Sequence, residues 1–184
     1  MPATLVMTLE FDYFNSRHRL DGIDLDVEQP ESLANIVTLI QRLRTDFGKD
    51  FIITLAPVAS ALIGRSNLSG FDYQTLEQNY GHEIDWYNAQ FYSGFGSMSH
   101  ATDYNDIVTN CPLRPSRLVA GTLSNMDNGD GWVELDIVKS TVRKLLKKYG
   151  DSFGGIAAWE YYNSKPDTDE PWEWAAEMGQ EMDN

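Results

Sequence analysis

The stretch Asp21-Gly22-Ile23-Asp24-Leu25-Asp26-Val27-Glu28 sets four carboxylates among side chains that favour burial. In an extended strand successive side chains alternate, so Asp24, Asp26 and Glu28 share one side while Ile23, Leu25 and Val27 share the other. Asp21 falls on the apolar parity, at the strand's start. The apolar triplet can pack under helices, and the acidic triplet then lines an interior or a mouth. Same-side neighbours stand about 6.6 Å apart along a strand. Carboxylates that close, partly desolvated, cannot all ionise freely. At least one is expected to have a raised pKa and to hold the proton that a general acid needs. An acidic loop facing solvent is the competing reading, and the alternation with β-branched and leucine residues weighs against it. A calcium loop fails on its letters, because counting from Asp24 places Gln29 where Gly is required and Asn35 where Glu is required.

Downstream, Leu33, Ile36, Val37, Ile40, Leu43 and Phe47 recur at helical spacing, with Gly48 at a C-terminal cap position. Phe51–Ala56 reads as a buried strand closed by Pro57, followed by a loop rich in Ser, Gly and Asn. Ile84–Tyr92 reads as a strand, residues 102–110 as a short helix, and Arg117–Thr122 as a strand. A second amphipathic helix carries Leu135, Val138, Val142, Leu145, Leu146 and Tyr149 on one face. Phe153–Trp159 is strand-like, and a last helix starts near Pro171, docked by Trp172 and Trp174. The first twenty residues read as one helix ending near Leu20. Strands alternating with helices predict βα units, a parallel sheet of about five strands and an α/β fold.

The chain has 184 residues, 42% hydrophobic, which predicts one domain. A complete eight-stranded barrel needs about 250 residues, so this chain is expected to form only part of one. Acidic residues outnumber basic ones 28 to 14, for a formal charge of −14. Such a field repels phosphate backbones and anionic lipid, so no nucleic-acid or membrane partner is expected. No run approaches membrane-spanning length, and the first residues do not resemble a signal peptide. With Cys111 as the single cysteine, these features predict a reducing, cytoplasmic setting. His18, His82 and His100 show no ligand spacing; no metal or cofactor is expected.

The D-x-x-D-x-D-x-E pattern resembles glycoside hydrolase family 18, the chitinases and endo-β-N-acetylglucosaminidases. Other stretches agree in order: FIITLAPVASA (51–61) is similar to the family's fifth strand, NAQFY (88–92) to its sixth, and FGGIAAWEYYNS (153–164) to its eighth. The ending WEYYNS followed by PWEWA most resembles intracellular-type fungal members. The resemblance runs from Leu20 to the C-terminus. It implies a (β/α)8 TIM-barrel type fold of which residues 1–184, a single partial catalytic domain, supply strands four to eight. Ser152-Phe153-Gly154-Gly155 matches an early family segment by letters but runs straight into Trp159, and so belongs to the last strand.

Carried onto this chain, the resemblance implies catalytic roles for Glu28, Asp26, Asp24 and Tyr92. Glu28 would protonate the leaving glycosidic oxygen. Asp26 would hold the substrate's acetamido group as it attacks the anomeric carbon, with Asp24 supporting it through a shared proton. Tyr92 would hydrogen-bond the acetamido carbonyl. Gln90, Trp159 and Asp21 would bind substrate, Trp159 as an apolar floor beneath the sugar. The family often has Asp or Asn where this chain has Ser93. The implied substrate is chitin or a chitooligosaccharide, β-1,4-linked N-acetylglucosamine. Two alternatives are an endo-β-N-acetylglucosaminidase acting on N-glycans and a catalytically silent sugar-binding remnant. A barrel lacking three strands would expose two sheet edges, which a homodimer could cover.

Overall fold

The structure is a computed structural model that describes residue 15 and residues 17–183. The expectation of an N-terminal helix falls almost wholly outside these residues. Five parallel strands follow one another in chain order: β1 (Gly22–Leu25), β2 (Ile52–Leu55), β3 (Trp86–Gln90), β4 (Leu118–Leu123) and β5 (Ile156–Trp159). Helices α1 (Leu33–Phe47), α2 (Tyr73–Tyr80), α3 (Thr102–Asn110), α4 (Leu135–Tyr149) and α5 (Trp172–Met182) alternate with or follow them. The result is a curled half-barrel with its helices on the convex side. Among the described residues, the outer edges of β1 and β5 pair with no strand.

Helix α1 begins where the Ser32 side chain accepts a hydrogen bond from the Asn35 N–H, and it stops at Gly48 with φ +85°. Its buried face, Ile36, Val37, Leu39, Ile40 and Leu43, packs in one core with Leu25, Ile53 and Leu55. Helix α4 presents Val138, Val142 and Leu145 in the same way. Strands β2 and β4 lie close to their expected limits, and β3 is shorter than Ile84–Tyr92.

Three expectations need correction. The loop after Pro57 contains α2, capped by the Asp72 side chain, with Tyr73 and Leu76 buried beneath it. The last strand starts at Ile156 rather than Phe153, because Gly155 takes φ +108° and turns the chain into the strand. Of the two helix tryptophans only Trp174 docks; Trp172 is exposed. Two positions apart on a helix is a rotation of about 200°, so both cannot face inward.

Parallel pairing fixes which side chains share the concave face. Asp24 lies opposite Thr54, and Thr54 opposite Trp86; Asn88 lies opposite Val119. Gln90 pairs with Val58 on one side and Gly121 on the other, and Leu123 with Trp159. Extending the register brings Glu28, Val58, Gln90, Gly121 and Ala157 into one row. The next row toward the strands' C-terminal ends holds Tyr92, Leu123 and Trp159.

Candidate active site

Strand β1 delivers its carboxylates as the alternation predicts. Leu25 is buried on the helix side, whereas Asp24, Asp26 and Glu28 are exposed on the concave face. Each acid at β1 meets a different restraint. The Thr54 hydroxyl donates to Asp24 Oδ1 at 2.6 Å. The Gln90 side-chain amide donates to Asp26 Oδ1 and Glu28 Oε1, each at 3.2 Å, and to the Ala56 carbonyl at 2.9 Å. Gln90 is itself buried. One primary amide therefore ties both carboxylates to the backbone just past β2. Two amide protons shared by three acceptors fix its orientation, since the amide oxygen could not face any of them.

The backbone behind these acids is held as well. The Ser69 hydroxyl donates to the Val27 carbonyl at 2.6 Å and lies 2.8 Å from the Tyr73 hydroxyl. The Glu31 N–H bonds to the Ser69 carbonyl at 2.8 Å. Gly70, at φ +78°, lets this loop pass so close to Pro30 that an added Cβ would stand 3.0 Å from the Pro30 Cα.

Partial desolvation raises the pKa of Asp26 from its ordinary value although its side chain still reaches solvent, and the charges of Glu28 and Asp24 add to it, against the hydrogen bond from Gln90. Tyr92 is half-buried just past β3. Burial, with the negative charges of Asp26 and then Glu28, pushes its phenol up to about 12, so it remains a neutral donor at physiological pH. Next to it Ser93 takes φ +54°, and its N–H bonds to the Asp130 carbonyl at 2.8 Å. Asn and Asp tolerate that conformation better than Ser.

Trp159 is 52% exposed. The register sets it level with Tyr92 and two strands away, or about 10 Å. Asp21 is the residue that the fold sets apart. It precedes β1, and its carbonyl accepts from the Ile52 N–H at the strands' N-terminal end. Strand geometry puts it about 16 Å from Asp26. Sequence reasoning missed Thr54, Ser69 and Tyr73. Thr54 carried a signal, a hydroxyl on the inward parity of an otherwise aliphatic strand; Ser69 and Tyr73 act through a loop whose course the letters do not reveal.

A cleft of about 550 Å³ runs along the outer edge of β1, lined by Asp24, Asp26, Glu28, Pro30 and Asn35 among others. That volume suits a small ligand. Among the described residues no group of three or more His, Cys, Asp or Glu is arranged to hold a metal, and no helix is long and apolar enough to cross a membrane.

No family model matches the chain. Among solved structures, a fungal endo-β-N-acetylglucosaminidase from glycosyl hydrolase family 18 is 52% identical, with a TM-score of 0.85 over 90% of this chain and 58% of that one. A chitinase from Aspergillus fumigatus is 48% identical, with a TM-score of 0.82 over 94% of this chain and 62% of that one. Chitinase 1 of Tulipa saxatilis subsp. bakeri is 34% identical over 82 residues, which are 42% of this chain and 24% of that protein. This chain thus spans about a quarter of that curated relative and less than two thirds of either solved structure. With these likenesses and an acid row set on the first of five barrel-type strands, the chain is similar in sequence and fold to members of glycosyl hydrolase family 18.

Proposed function

We propose that this chain hydrolyses β-1,4-linked N-acetylglucosamine chains, with the substrate's own acetamido group as nucleophile. The observation that carries the reading is the Gln90 amide bridging Asp26 and Glu28. It holds a proton donor and an electrostatic partner side by side on one wall. In the proposed reaction Glu28 protonates the departing glycosidic oxygen while the acetamido oxygen attacks the anomeric carbon and closes an oxazolinium ring. Asp26 accepts the acetamide N–H and offsets the charge that develops on the ring. Its raised proton affinity lets it share a proton within the row, and Asp24, held by Thr54, adds negative charge behind it. Tyr92, neutral at working pH, donates to the acetamido oxygen and fixes it for attack. Glu28, now a carboxylate, then takes a proton from the water that opens the ring.

Cleavage of a soluble chitooligosaccharide by the purified chain, beside Glu28→Gln, tests this. A general acid contributes about 10²- to 10⁴-fold, so turnover should fall by that factor in the variant. No turnover by a cooperatively melting parent would leave a silent sugar-binding protein, a reading that the exposure of all three acids favours. The 52% likeness to an endo-β-N-acetylglucosaminidase supports a second substrate, the N-glycan core. Running a glycopeptide in parallel separates the two.

A further inference from the structure

The ladder that shapes β1 stops short of the proton donor. Leu25, the last residue of β1, pairs with Leu55, and its carbonyl accepts from the Ala56 N–H at 3.0 Å. Glu28 lies three residues beyond this point. Its carboxylate meets the Gln90 amide at 3.2 Å, a long bond from a donor that is shared with Asp26. The backbone on either side of Glu28 is held instead by one residue of the loop before α2. The Ser69 hydroxyl donates to the Val27 carbonyl at 2.6 Å, directly ahead of Glu28, and the Ser69 carbonyl accepts from the Glu31 N–H at 2.8 Å, beyond it.

Ser69 is set in place in its turn. Its N–H donates to Asn67 Oδ1 at 2.8 Å, and its hydroxyl oxygen lies 2.8 Å from the Tyr73 hydroxyl. Both side chains are buried. Ser69 has a single hydroxyl proton and the Val27 carbonyl can only accept, so Tyr73 is the donor to Ser69. The order runs from Tyr73 through Ser69 to the Val27 carbonyl, each bond polarising the next. Burial pushes the Tyr73 phenol up to about 12, so this donor keeps its proton throughout the range in which carboxylates titrate. Tyr73 opens α2, and its ring stands edge-on to that of Tyr87, with 6.3 Å between centroids. A phenylalanine would fill the same space, so packing alone does not call for the hydroxyl.

We propose that Tyr73 and Ser69 are positioning residues for Glu28, their hydroxyl relay fixing the Val27–Glu28 peptide and with it the reach of the acid toward the departing oxygen. The inference rests on the reading of Glu28 as proton donor. A displacement of about 1 Å at a reacting group can cost about 10²-fold in rate. Both hydroxyls are buried, out of reach of a sugar in the cleft, so the relay acts on the chemical step and not on binding.

Steady-state kinetics on a soluble chitooligosaccharide test this with the parent, Tyr73→Phe, Ser69→Ala and the double variant, each with a thermal melt. Expected is a fall in kcat of about threefold for Tyr73→Phe and about tenfold for Ser69→Ala, with KM unchanged. Because Tyr73 acts through Ser69, the double variant should match Ser69→Ala alone. Two residues with separate structural roles would give additive losses, or a lower Tm with kcat retained. Unchanged kcat, additive losses or a loss carried by KM overturns the relay while leaving the acid row intact. If Ser69→Ala melts without cooperativity, kcat and KM of Tyr73→Phe decide alone. A folded parent as inactive as Glu28→Gln overturns the hydrolase reading, and the relay with it.

Discussion

Asp26 stands in a place that favours its protonated form, and this has a measurable cost. Its folded-state pKa is raised by burial and by Glu28 and Asp24, so between the ordinary carboxylate value and that raised value the folded chain binds more protons than the unfolded one. Stability from this group is therefore present at acid pH and is lost as pH rises through that window. Asp26→Asn is predicted to raise Tm at pH 7, with the gain vanishing as pH falls below the carboxylate range. Thermal melts of both proteins across pH check it; an equal Tm difference at every pH would show that the group's charge is not the cause. The same substitution should abolish turnover, so stability and function oppose each other at one oxygen atom. The residue scale was also where the sequence was most informative. Alternation alone placed Asp24, Asp26 and Glu28 on one side, and the family resemblance named Gln90 as a substrate contact. That Gln90 donates to both acids was not legible, because it depends on the register between strands separated by more than sixty residues. For Asp21 the pattern pointed to the site while the strand's length carries it to the other end.

At the scale of elements, the helices that sequence revealed are those with strong patterning and glycine stops. Both Leu33–Phe47 and Leu135–Tyr149 end as their letters predict. Helix α2 escaped notice because it is short and buries only Tyr73 and Leu76, too few positions for a periodicity to emerge. It matters nonetheless. Glu77 on α2 accepts from the Tyr87 hydroxyl at 3.0 Å and pairs with Arg117, which also donates to the Gly81 and Ile84 carbonyls at 2.8 and 2.7 Å. This cluster holds the turn that feeds β3, and so sets the height at which Gln90 meets the acids. Arg117→Met would leave the Glu77 carboxylate, whose side chain is only 9% exposed, without its cation. The expected loss is about 3 kcal/mol, read from denaturant unfolding. A loss below about 1 kcal/mol would mean that the cluster is solvated in solution.

For the whole molecule, two opposing forces decide its company. Among the described residues, the outer edges of β1 and β5 offer unpaired backbone groups to another chain. A formal charge of −14 repels a second copy. Added salt screens the repulsion and leaves the edges unchanged, so the chain is predicted to be monomeric at low ionic strength and dimeric at high. Sedimentation at two salt concentrations measures this, and a monomer under both conditions would rule out pairing between copies. The strand order carries a consequence of another kind. Because each of β2 to β5 lies beside the strand made just before it, none of these described strands waits for a distant partner, and the sheet can grow in the direction in which the ribosome delivers the chain. Asp26 and Glu28 emerge ahead of Gln90 and stand in water without its clasp until it follows them out. The wall carrying Trp159 follows later than Gln90, so a ribosome stalled before β5 would hold a nascent sheet with its acids already bridged and that wall still unmade.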